Sequence, residues 1–330
     1  MGSSQNKLNN INSQSYSCIG RIENYKDLSY EKLEKEIAKS IKSIEKSKKN
    51  KNFKYNKNFK KEYDILEKYI DKDKEHFKNL KKGFKELCRY NDIKTYEYNS
   101  IEINTENKFI NASPINIYSK NNLIATQGPK PNTIEHFWIM VEQYNCNIII
   151  MLCQLKENNK EKCACYWDIN NQMKKYEINL LSEEEKQFNN NDKNIIYIRK
   201  IKLINKETKN EKVVKHLQYI GWNDNDAPEI TDSFEPFQFM IEELDKQKGD
   251  RAGIIHCSAG VGRTGTFISI YYLFKEITEQ INNKNLNKIN FSVFNMVRKL
   301  KEMRLYMVQN NLQYKFIYDF IDYLLIKYNI

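Results

Sequence analysis

The chain has 330 residues, of which 40% are hydrophobic and 29% are charged, and its formal net charge is +11. These proportions predict a soluble globular protein with a polar extension, and the length allows one large domain or two smaller ones. The longest apolar runs, such as residues 148–153, are too short to cross a bilayer, and the first residues lack the pattern of a secretory signal.

Cysteine and histidine usage argues against a metal centre. The seven cysteines are odd in number and scattered, and neither they nor the four histidines show the spacing of a zinc site. This usage favours a reducing, intracellular compartment, and we predict neither a metal nor a cofactor.

The first segment, residues 1–27, is rich in Asn and Ser and has no periodicity, which predicts a disordered leader. Residues 28–54 are predicted to form a basic amphipathic helix, because apolar residues recur at helical spacing, followed by a Lys/Asn-rich linker. The recurring residues are Leu33, Ile37, Ile41 and Ile44. We place a domain boundary near residue 55.

Most of the excess charge lies in residues 46–61, which hold eight lysines and no acid. Such a run is usually a solvated stretch, and binding to an anionic membrane is the minor alternative. Its lysines alternate with Asn and Phe, so we expect no nucleic-acid partner. Gly2 suggests N-myristoylation, but Asn6 stands where that motif has Ser or Thr. We therefore predict a cytoplasmic protein, with peripheral membrane contact through residues 46–61 or an acylated Gly2 as the less favoured alternative.

From residue 55 onward, strand-like and helical patterns alternate. The strand-like runs begin at residues 109, 122, 147, 194, 215 and 252, and the helical patterns cover residues 133–144, 265–280, a segment around Val297, and 311–328. Residues 55–330 therefore read as one α/β domain with a mixed sheet flanked by helices. Residues 188–194, which are rich in Asn, are predicted to form a surface loop.

The sequence IIHCSAGVGRTGTF, residues 254–267, concentrates glycines in a chain that has only ten. A strand, a glycine-bearing turn and a helix beginning near Arg263 and Thr264 are suited to binding an oxyanion, because backbone amides and the helix dipole converge there. The same amides and Arg263 favour the thiolate form of Cys257. Nucleophile, oxyanion cradle and cation thus lie within seven residues, as covalent phosphoryl transfer requires.

Two other interpretations of this segment are weaker. A nucleotide-binding Walker loop needs a lysine where this chain has Arg263. A redox pair needs a second cysteine close to Cys257 in sequence, and there is none.

HCSAGVGRTG, residues 256–265, resembles the signature loop of the protein tyrosine phosphatases. The resemblance extends in the family's order over residues 55–330, through CRYNDI (88–93), FINAS (109–113), IATQGP (124–129), TIEHFWIMV (133–141), KCACYW (162–167), WND (222–224) and MVQNNLQYKFIY (307–318). It implies a highly twisted mixed sheet flanked by helices, in a single non-receptor-like catalytic domain that acts on phosphotyrosine-containing proteins.

The resemblance also assigns residues to roles. Its catalytic residues would be Cys257 as nucleophile, Arg263 as phosphate ligand, Asp224 as general acid and base, Gln309 as the residue that positions water, and Thr264 as a donor to the departing thiolate. Its substrate-binding residues would be Tyr90, Asp92, Ser258, Ala259, Gly260, Val261, Gly262, Gln313 and Lys162. Its supporting residues would be His256, Glu157 and Trp222.

Tyr90 and Asp92 bear on substrate choice. An aromatic wall at the pocket mouth would stack on a phenyl ring, and a deep pocket would leave phosphoserine too short to reach Cys257. Asp92 would accept hydrogen bonds from the substrate backbone.

WND, residues 222–224, lies where the family has its mobile acid loop, and it departs from the family pattern because Asn223 replaces a proline that restricts the backbone. The leading hypothesis is a phosphatase that hydrolyses phosphotyrosine through a cysteinyl-phosphate. The alternative is a catalytically impaired module that binds phosphotyrosine. A broader phosphatase acting on phosphoserine, phosphoinositides or RNA 5′ phosphates is disfavoured by Tyr90 and by the lack of lysine in residues 258–262.

Overall fold

The computed structural model describes residues 59–72, 84–117, 122–168, 173–189, 191–224, 226–249, 251–283, 289 and 291–328. The predicted leader (1–27) and the predicted basic helix and linker (28–54) lie outside the described residues. The chain divides into two compact units, Met1–Lys78 and Asn79–Ile330. The domain boundary near residue 55 stays a prediction.

The described part of the first unit is one helix, α1 (Phe59–Lys72). Tyr63 and Leu66, three residues apart, are buried, as expected for a helix with one apolar stripe.

The second unit is built on a seven-stranded sheet with the order β1-β2-β9-β3-β8-β7-β6. Its strands are β1 (Ala112–Ile115), β2 (Leu123–Thr126), β3 (Ile148–Met151), β6 (Tyr176–Phe188), β7 (Asn191–Asn205), β8 (Glu211–Tyr219) and β9 (Gly253–His256). Strands β4 (Lys156–Glu157) and β5 (Lys160–Glu161) form a separate small hairpin.

The middle of the sheet is parallel, and both of its sides are antiparallel. Strands β2, β9, β3 and β8 run parallel to one another, whereas β1 pairs antiparallel with β2, β7 with β8, and β6 with β7. The residues of β3 are all apolar and fully buried, as is typical of a central parallel strand covered on both faces. The predicted mixed sheet flanked by helices is confirmed.

The flanking helices are α2 (Ile134–Gln143), α3 (Ile230–Lys248), α4 (Gly262–Asn282), α5 (Val293–Met303) and α6 (Asn311–Lys327). An aromatic cluster joins α3, α4 and α6: the ring of Phe237 lies 5.5 Å from the rings of both Phe267 and Phe316. The apolar stripe predicted for residues 311–328 is thus core. No helix among the described residues is both long enough and apolar enough to span a bilayer.

Residues 188–194 are not the surface loop that we predicted. Strand β6 ends at Phe188 and β7 already begins at Asn191, and Asn189, which follows β6, has a left-handed φ of 55°. Asn194 is buried and accepts a hydrogen bond of 2.9 Å from the Tyr219 hydroxyl. Asparagine enrichment wrongly predicted a surface loop, because an asparagine can be buried when its amide has a hydrogen-bond partner, and that partner can be distant in sequence.

The register of the parallel strands determines where the site lies. Thr126, His256 and Met151 occupy one row across β2, β9 and β3. The chain leaves all these strands at the same edge, the carboxyl edge, where open α/β sheets bind their ligands. The segments that follow β2, β3, β8 and β9 therefore meet there.

Candidate active site

The signature loop, residues 257–261, connects β9 to α4 at the carboxyl edge. Cys257 lies at its base with only 4% of its surface exposed, and the amide of Gly260 donates a hydrogen bond of 3.3 Å to its Sγ. Gly260 has a φ of 71°, and a Cβ atom there would lie 2.1 Å from the carbonyl oxygen of Thr126. Only glycine fits this position without moving the backbone.

Arg304 holds one side of the loop. Its fully buried guanidinium donates to the carbonyls of Gly260 (2.8 Å) and Ala259 (3.2 Å), and also to Asn111 and Ser113. A peptide carbonyl and the following N–H point in opposite directions. The contact at the Ala259 carbonyl therefore directs the Gly260 amide toward Cys257.

The other loop carbonyls also have protein partners. The Cys257 carbonyl accepts from Nδ1 of His256 at 3.0 Å, and the Ser258 carbonyl accepts from the backbone amide of Gly128 at 2.9 Å. The Val261 carbonyl accepts from the backbone amides of Gly265 at 2.9 Å and Val308 at 3.2 Å. With its carbonyls bound by the surrounding protein, the loop presents its amides to an anion.

Arg263 lies in the first turn of α4 and is 2% exposed. It forms a bidentate pair with Glu157, at 2.7 and 3.1 Å, and donates to the carbonyl of Trp222 at 2.9 Å. Burial works to lower the pKa of Arg263, but the neighbouring thiols and Glu157 outweigh it and the pKa is raised. Glu157 comes from the small β4–β5 hairpin, which therefore orients this cation.

Thr264 follows Arg263 in α4 and is fully buried. Its hydroxyl has no hydrogen-bond partner among the described residues. An orphaned buried hydroxyl beside the loop is free to donate to an anion when one forms there.

The segment after β8 brings Asp224 over the loop. Asp224 contacts Nζ of Lys162 and lies 3.4 Å from Arg263, and its side chain remains 31% exposed. Burial works to lower the pKa of Lys162, but the hydrogen bond and charge of Asp224 outweigh it, so the pKa is raised. Trp222 is buried, and its indole donates to the carbonyl of Asp226 at 2.7 Å. Asn223 is exposed.

Tyr90 borders the pocket through Ser258. The Ser258 hydroxyl donates to the carbonyl of Lys162 at 2.9 Å, so the Tyr90 hydroxyl, 3.0 Å away, is the donor to Ser258 Oγ. Asp92 is exposed in the turn that follows Tyr90.

The two glutamines lie beside the start of α4. Oε1 of Gln309 and Nε2 of Gln313 each lie 3.0 Å from the point where a Cβ of Gly262 would be. The backbone amide of Gln309 donates to Oε1 of Gln313 at 2.9 Å. Gln313 is buried and Gln309 is exposed, so Gln309 is the one that is open to water.

A buried chain of hydrogen bonds ends at the backbone carbonyl of Cys257. Because that carbonyl only accepts, His256 donates from Nδ1 and accepts at Nε2 from the Tyr166 hydroxyl, 2.7 Å away. Nε2 of His216 then donates to Tyr166 at 2.8 Å, and Nδ1 of His216 accepts from Arg199 at 3.2 Å. The Cys257 carbonyl at one end of this hydrogen-bond chain and Arg199 at the other thus determine which ring nitrogen of each histidine carries the proton.

Burial keeps both histidines neutral. It lowers the pKa of His256 to about 4 and that of His216 well below its usual value. His256 therefore organises the loop and does not exchange protons near neutral pH.

The structure brings most of the sequence-predicted residues together at one edge of the sheet, whereas Asp92 is exposed in a turn and forms no hydrogen bond or ion pair with the others in the described part of the chain. Sequence reasoning missed Arg304, Tyr166, His216 and Arg199. Tyr166 lies within a matched segment, KCACYW, but nothing in the sequence distinguished the other three from ordinary polar residues.

A mixed sheet with an amide-lined loop between a central strand and a helix, and with a thiol at the base of that loop, defines a class of α/β proteins built to bind an oxyanion beside a cysteine. A sequence model of the family "Protein-tyrosine phosphatase" matches residues 84–323. The chain belongs to the protein-tyrosine phosphatase family.

The relatives agree with this assignment. Tyrosine-protein phosphatase non-receptor type 20 of Rattus norvegicus is 33% identical over 240 residues, which cover 71% of this chain and 53% of that protein. The chain thus spans about half the length of the curated relatives it matches.

Solved structures show the same fold. The catalytic domain of human non-receptor type 18 phosphatase superimposes with a TM-score of 0.69 at 25% identity, over 81% of this chain and 95% of that one. A complex of the type 18 phosphatase with HER2 phosphopeptides gives a TM-score of 0.68 at 26% identity, over 81% and 99% of the two chains.

Proposed function

We propose that this protein is a protein-tyrosine phosphatase that hydrolyses phosphotyrosine in proteins through a cysteinyl-phosphate intermediate. The observation that carries the proposal is the signature loop, in which protein partners hold the carbonyls of residues 257–261 away from the thiol and leave amides to bind phosphate. Family membership supports the same reaction.

In the first step, Sγ of Cys257 attacks phosphorus while the bond from phosphorus to the phenolic oxygen breaks. Asp224 donates its proton to that oxygen, so that neutral tyrosine leaves. The amides of Ser258, Ala259, Gly260, Val261 and Gly262, together with Arg263, bind the phosphoryl oxygens.

In the second step, a water oxygen bonds to phosphorus and the S–P bond breaks. The Asp224 carboxylate takes the water proton, and Gln309, supported by Gln313, holds the water. Thr264 donates to the departing thiolate, which makes use of its otherwise orphaned hydroxyl. Glu157 and Trp222 orient Arg263, His256 orients Cys257, and Lys162 holds Asp224.

Tyr90 and Asp92 would select phosphotyrosine substrates at the pocket mouth. The thiol is nearly inaccessible from solvent, so a phenyl ring spans the depth that a serine side chain does not. The complex of the type 18 phosphatase with phosphopeptides supports phosphotyrosine proteins as partners. We propose a cytoplasmic location, with peripheral membrane contact through residues 46–61 or Gly2 as the minor alternative.

A second candidate, a phosphotyrosine-binding module with impaired turnover, is motivated by Asn223 in the acid loop. Asp224 lies beside Arg263, 3.4 Å away, where a proton donor to the leaving oxygen is needed, and this placement favours turnover.

The test is phosphate release from a phosphotyrosine peptide and from its phosphoserine counterpart, with the full chain. We expect release from the first only, and a fall of at least about 1,000-fold in Cys257→Ser. Tight binding of the phosphotyrosine peptide without release would establish the binding module instead. Comparable release from both peptides would establish a broader phosphatase.

A further inference from the structure

Lys301 is a buried cation that the proposed mechanism does not use. It lies near the end of α5 and is 1% exposed. Its Nζ donates a hydrogen bond of 3.2 Å to the carbonyl of Val308. A buried ammonium group is costly unless it is bound, so its partner is informative.

That partner belongs to a strained residue. Val308 has a φ of 59°, in the left-handed region that β-branched residues rarely adopt. Contacts on both sides hold it there, because its amide donates to the Val261 carbonyl of the signature loop at 3.2 Å and its carbonyl accepts from Lys301. Strain of this kind persists only where the surroundings enforce it.

The carbonyl of Val308 and the amide of Gln309 form one peptide unit. Lys301 holds its oxygen, and Oε1 of Gln313 accepts from its N–H at 2.9 Å on the opposite side. The orientation of this peptide determines where the Gln309 side chain begins, and that side chain lies over Gly262. Lys301 thus binds the backbone that carries Gln309.

We propose that Lys301 is a positioning residue, which fixes the Val308–Gln309 peptide so that Gln309 holds water for hydrolysis of the cysteinyl-phosphate. The inference rests on the proposed function and concerns only its second step. In that step the water oxygen bonds to phosphorus, the S–P bond breaks, the water proton goes to Asp224, and Gln309 is unchanged. Formation of the cysteinyl-phosphate does not need Gln309.

This separation of steps gives a specific kinetic signature. With p-nitrophenyl phosphate as probe, kcat/KM reports events up to phosphorylation of Cys257, whereas kcat also includes hydrolysis of the intermediate. Lys301→Met keeps most of the side-chain volume and removes the ammonium group. We expect kcat to fall roughly tenfold, KM to fall in parallel, kcat/KM to stay unchanged, and the initial burst of p-nitrophenol to grow.

Five further variants complete the design. Lys301→Arg retains a donor and should restore kcat, and Gln309→Ala should show the same split, with little further loss when combined with Lys301→Met. Tyr96→Phe is the matched control, because the Tyr96 hydroxyl donates to the backbone carbonyl of Lys301 at 3.0 Å and not to its ammonium group. It loosens the same helix and should leave kcat, KM and the size of the burst as they are. If Lys301→Met does not fold, Lys301→Gln, whose amide is too short to reach Val308, carries the same prediction.

Each outcome decides the matter. A parallel fall of kcat and kcat/KM in Lys301→Met, or unchanged kinetics, would overturn this proposal while leaving the proposed function intact. The same split in Tyr96→Phe would overturn it as well, because helix stability would then explain the effect. No turnover by the unmodified protein would overturn the proposed function and this inference with it.

Discussion

At the scale of single residues, Gly260 and Gly249 separate two costs of replacing glycine. Both have a positive φ, 71° and 53°, but a Cβ at Gly249 meets nothing within 4 Å. Gly249→Ala should lower the free energy of unfolding by about 1–3 kcal/mol, from conformation only. Gly260→Ala adds a clash with the backbone of Thr126, and should cost about 3 kcal/mol or more.

Urea unfolding of both variants measures the difference. Equal losses would show that the loop can move away from Thr126. Such a finding would contradict the close contact on which the amide geometry depends.

Asp224 and Asp226 offer a matched pair of acids in one loop. Asp224 contacts Lys162 and Arg263, whereas the carboxylate of Asp226 accepts from the amide of Ala227 at 2.8 Å. Asp224→Ala should lower kcat by about 10²–10⁴-fold while phosphotyrosine peptide binding persists, because a general acid acts mainly in the transition state.

Steady-state kinetics and calorimetric binding test this assignment, with Asp226→Ala as the control. The control should keep most of its kcat. If Asp224→Ala turned over normally, another group would have to protonate the leaving phenol.

At the scale of elements, the acid loop connects β8 to α3 and is held by its own contacts. The Trp222 indole binds the Asp226 carbonyl, and the Trp222 carbonyl binds Arg263. These contacts bring Asp224 to the pocket without the proline that the family pattern has at position 223.

If the acid loop moves between an open state and a closed state over the pocket, proline at position 223 would restrict the backbone of the open state. Asn223→Pro should raise kcat about two- to fivefold, because a gain of about 0.4–1 kcal/mol from reduced backbone freedom favours the closed loop. Asn223→Ala removes the amide side chain without adding a ring, and should leave kcat near that of the unmodified protein. Stopped-flow and steady-state rates compare the two, and a fall in kcat of Asn223→Pro would mean that the native backbone at this residue excludes proline.

At the scale of the whole molecule, the carboxyl edge of the sheet organises the site. Strands β2, β3, β8 and β9 come from distant parts of the chain, and their parallel register makes the following segments converge. The signature loop supplies Cys257, the segment after β8 supplies Asp224, and the segment after β3 supplies Glu157. Each stands on a different strand end, so the sheet determines their distances.

The two buried histidines, His256 and His216, make the free energy of unfolding depend on pH. The folded pKa of His256 is about 4, below the value near 6.5 expected when the chain unfolds, and His216 is shifted the same way by burial. Between these values the unfolded chain binds protons that the folded chain does not. The stability is therefore complete above pH 6.5 and falls as the pH drops toward 4.

From pH 6.5 to 5, His256 should account for a loss of about 2 kcal/mol in the free energy of unfolding, with His216 adding to it. Urea unfolding at several pH values measures the number of protons taken up. In His216→Gln that number should fall by about one in this window. An unchanged slope would show that His216 is protonated in the folded protein.

The local unit of the site was predictable from the sequence. Residues 253–282 form a strand, a loop and a helix in the predicted order, although the helix begins at Gly262, slightly earlier than expected. Glycine placement, apolar periodicity and the order of family motifs can be read along the chain, so the sequence by itself determined the family, the fold class and the loop in which Cys257 lies.

The tertiary structure decided what depends on contact between distant residues. Arg304 reaches the carbonyl of Gly260, 44 positions away, and Glu157 reaches Arg263 across 106 positions. Strand β6, helix α3 and the burial of Asn194 were not predicted for the same reason. A buried arginine and a solvated one look alike in sequence, because the free energy that distinguishes them comes from partners that only the packed fold brings within hydrogen-bond distance.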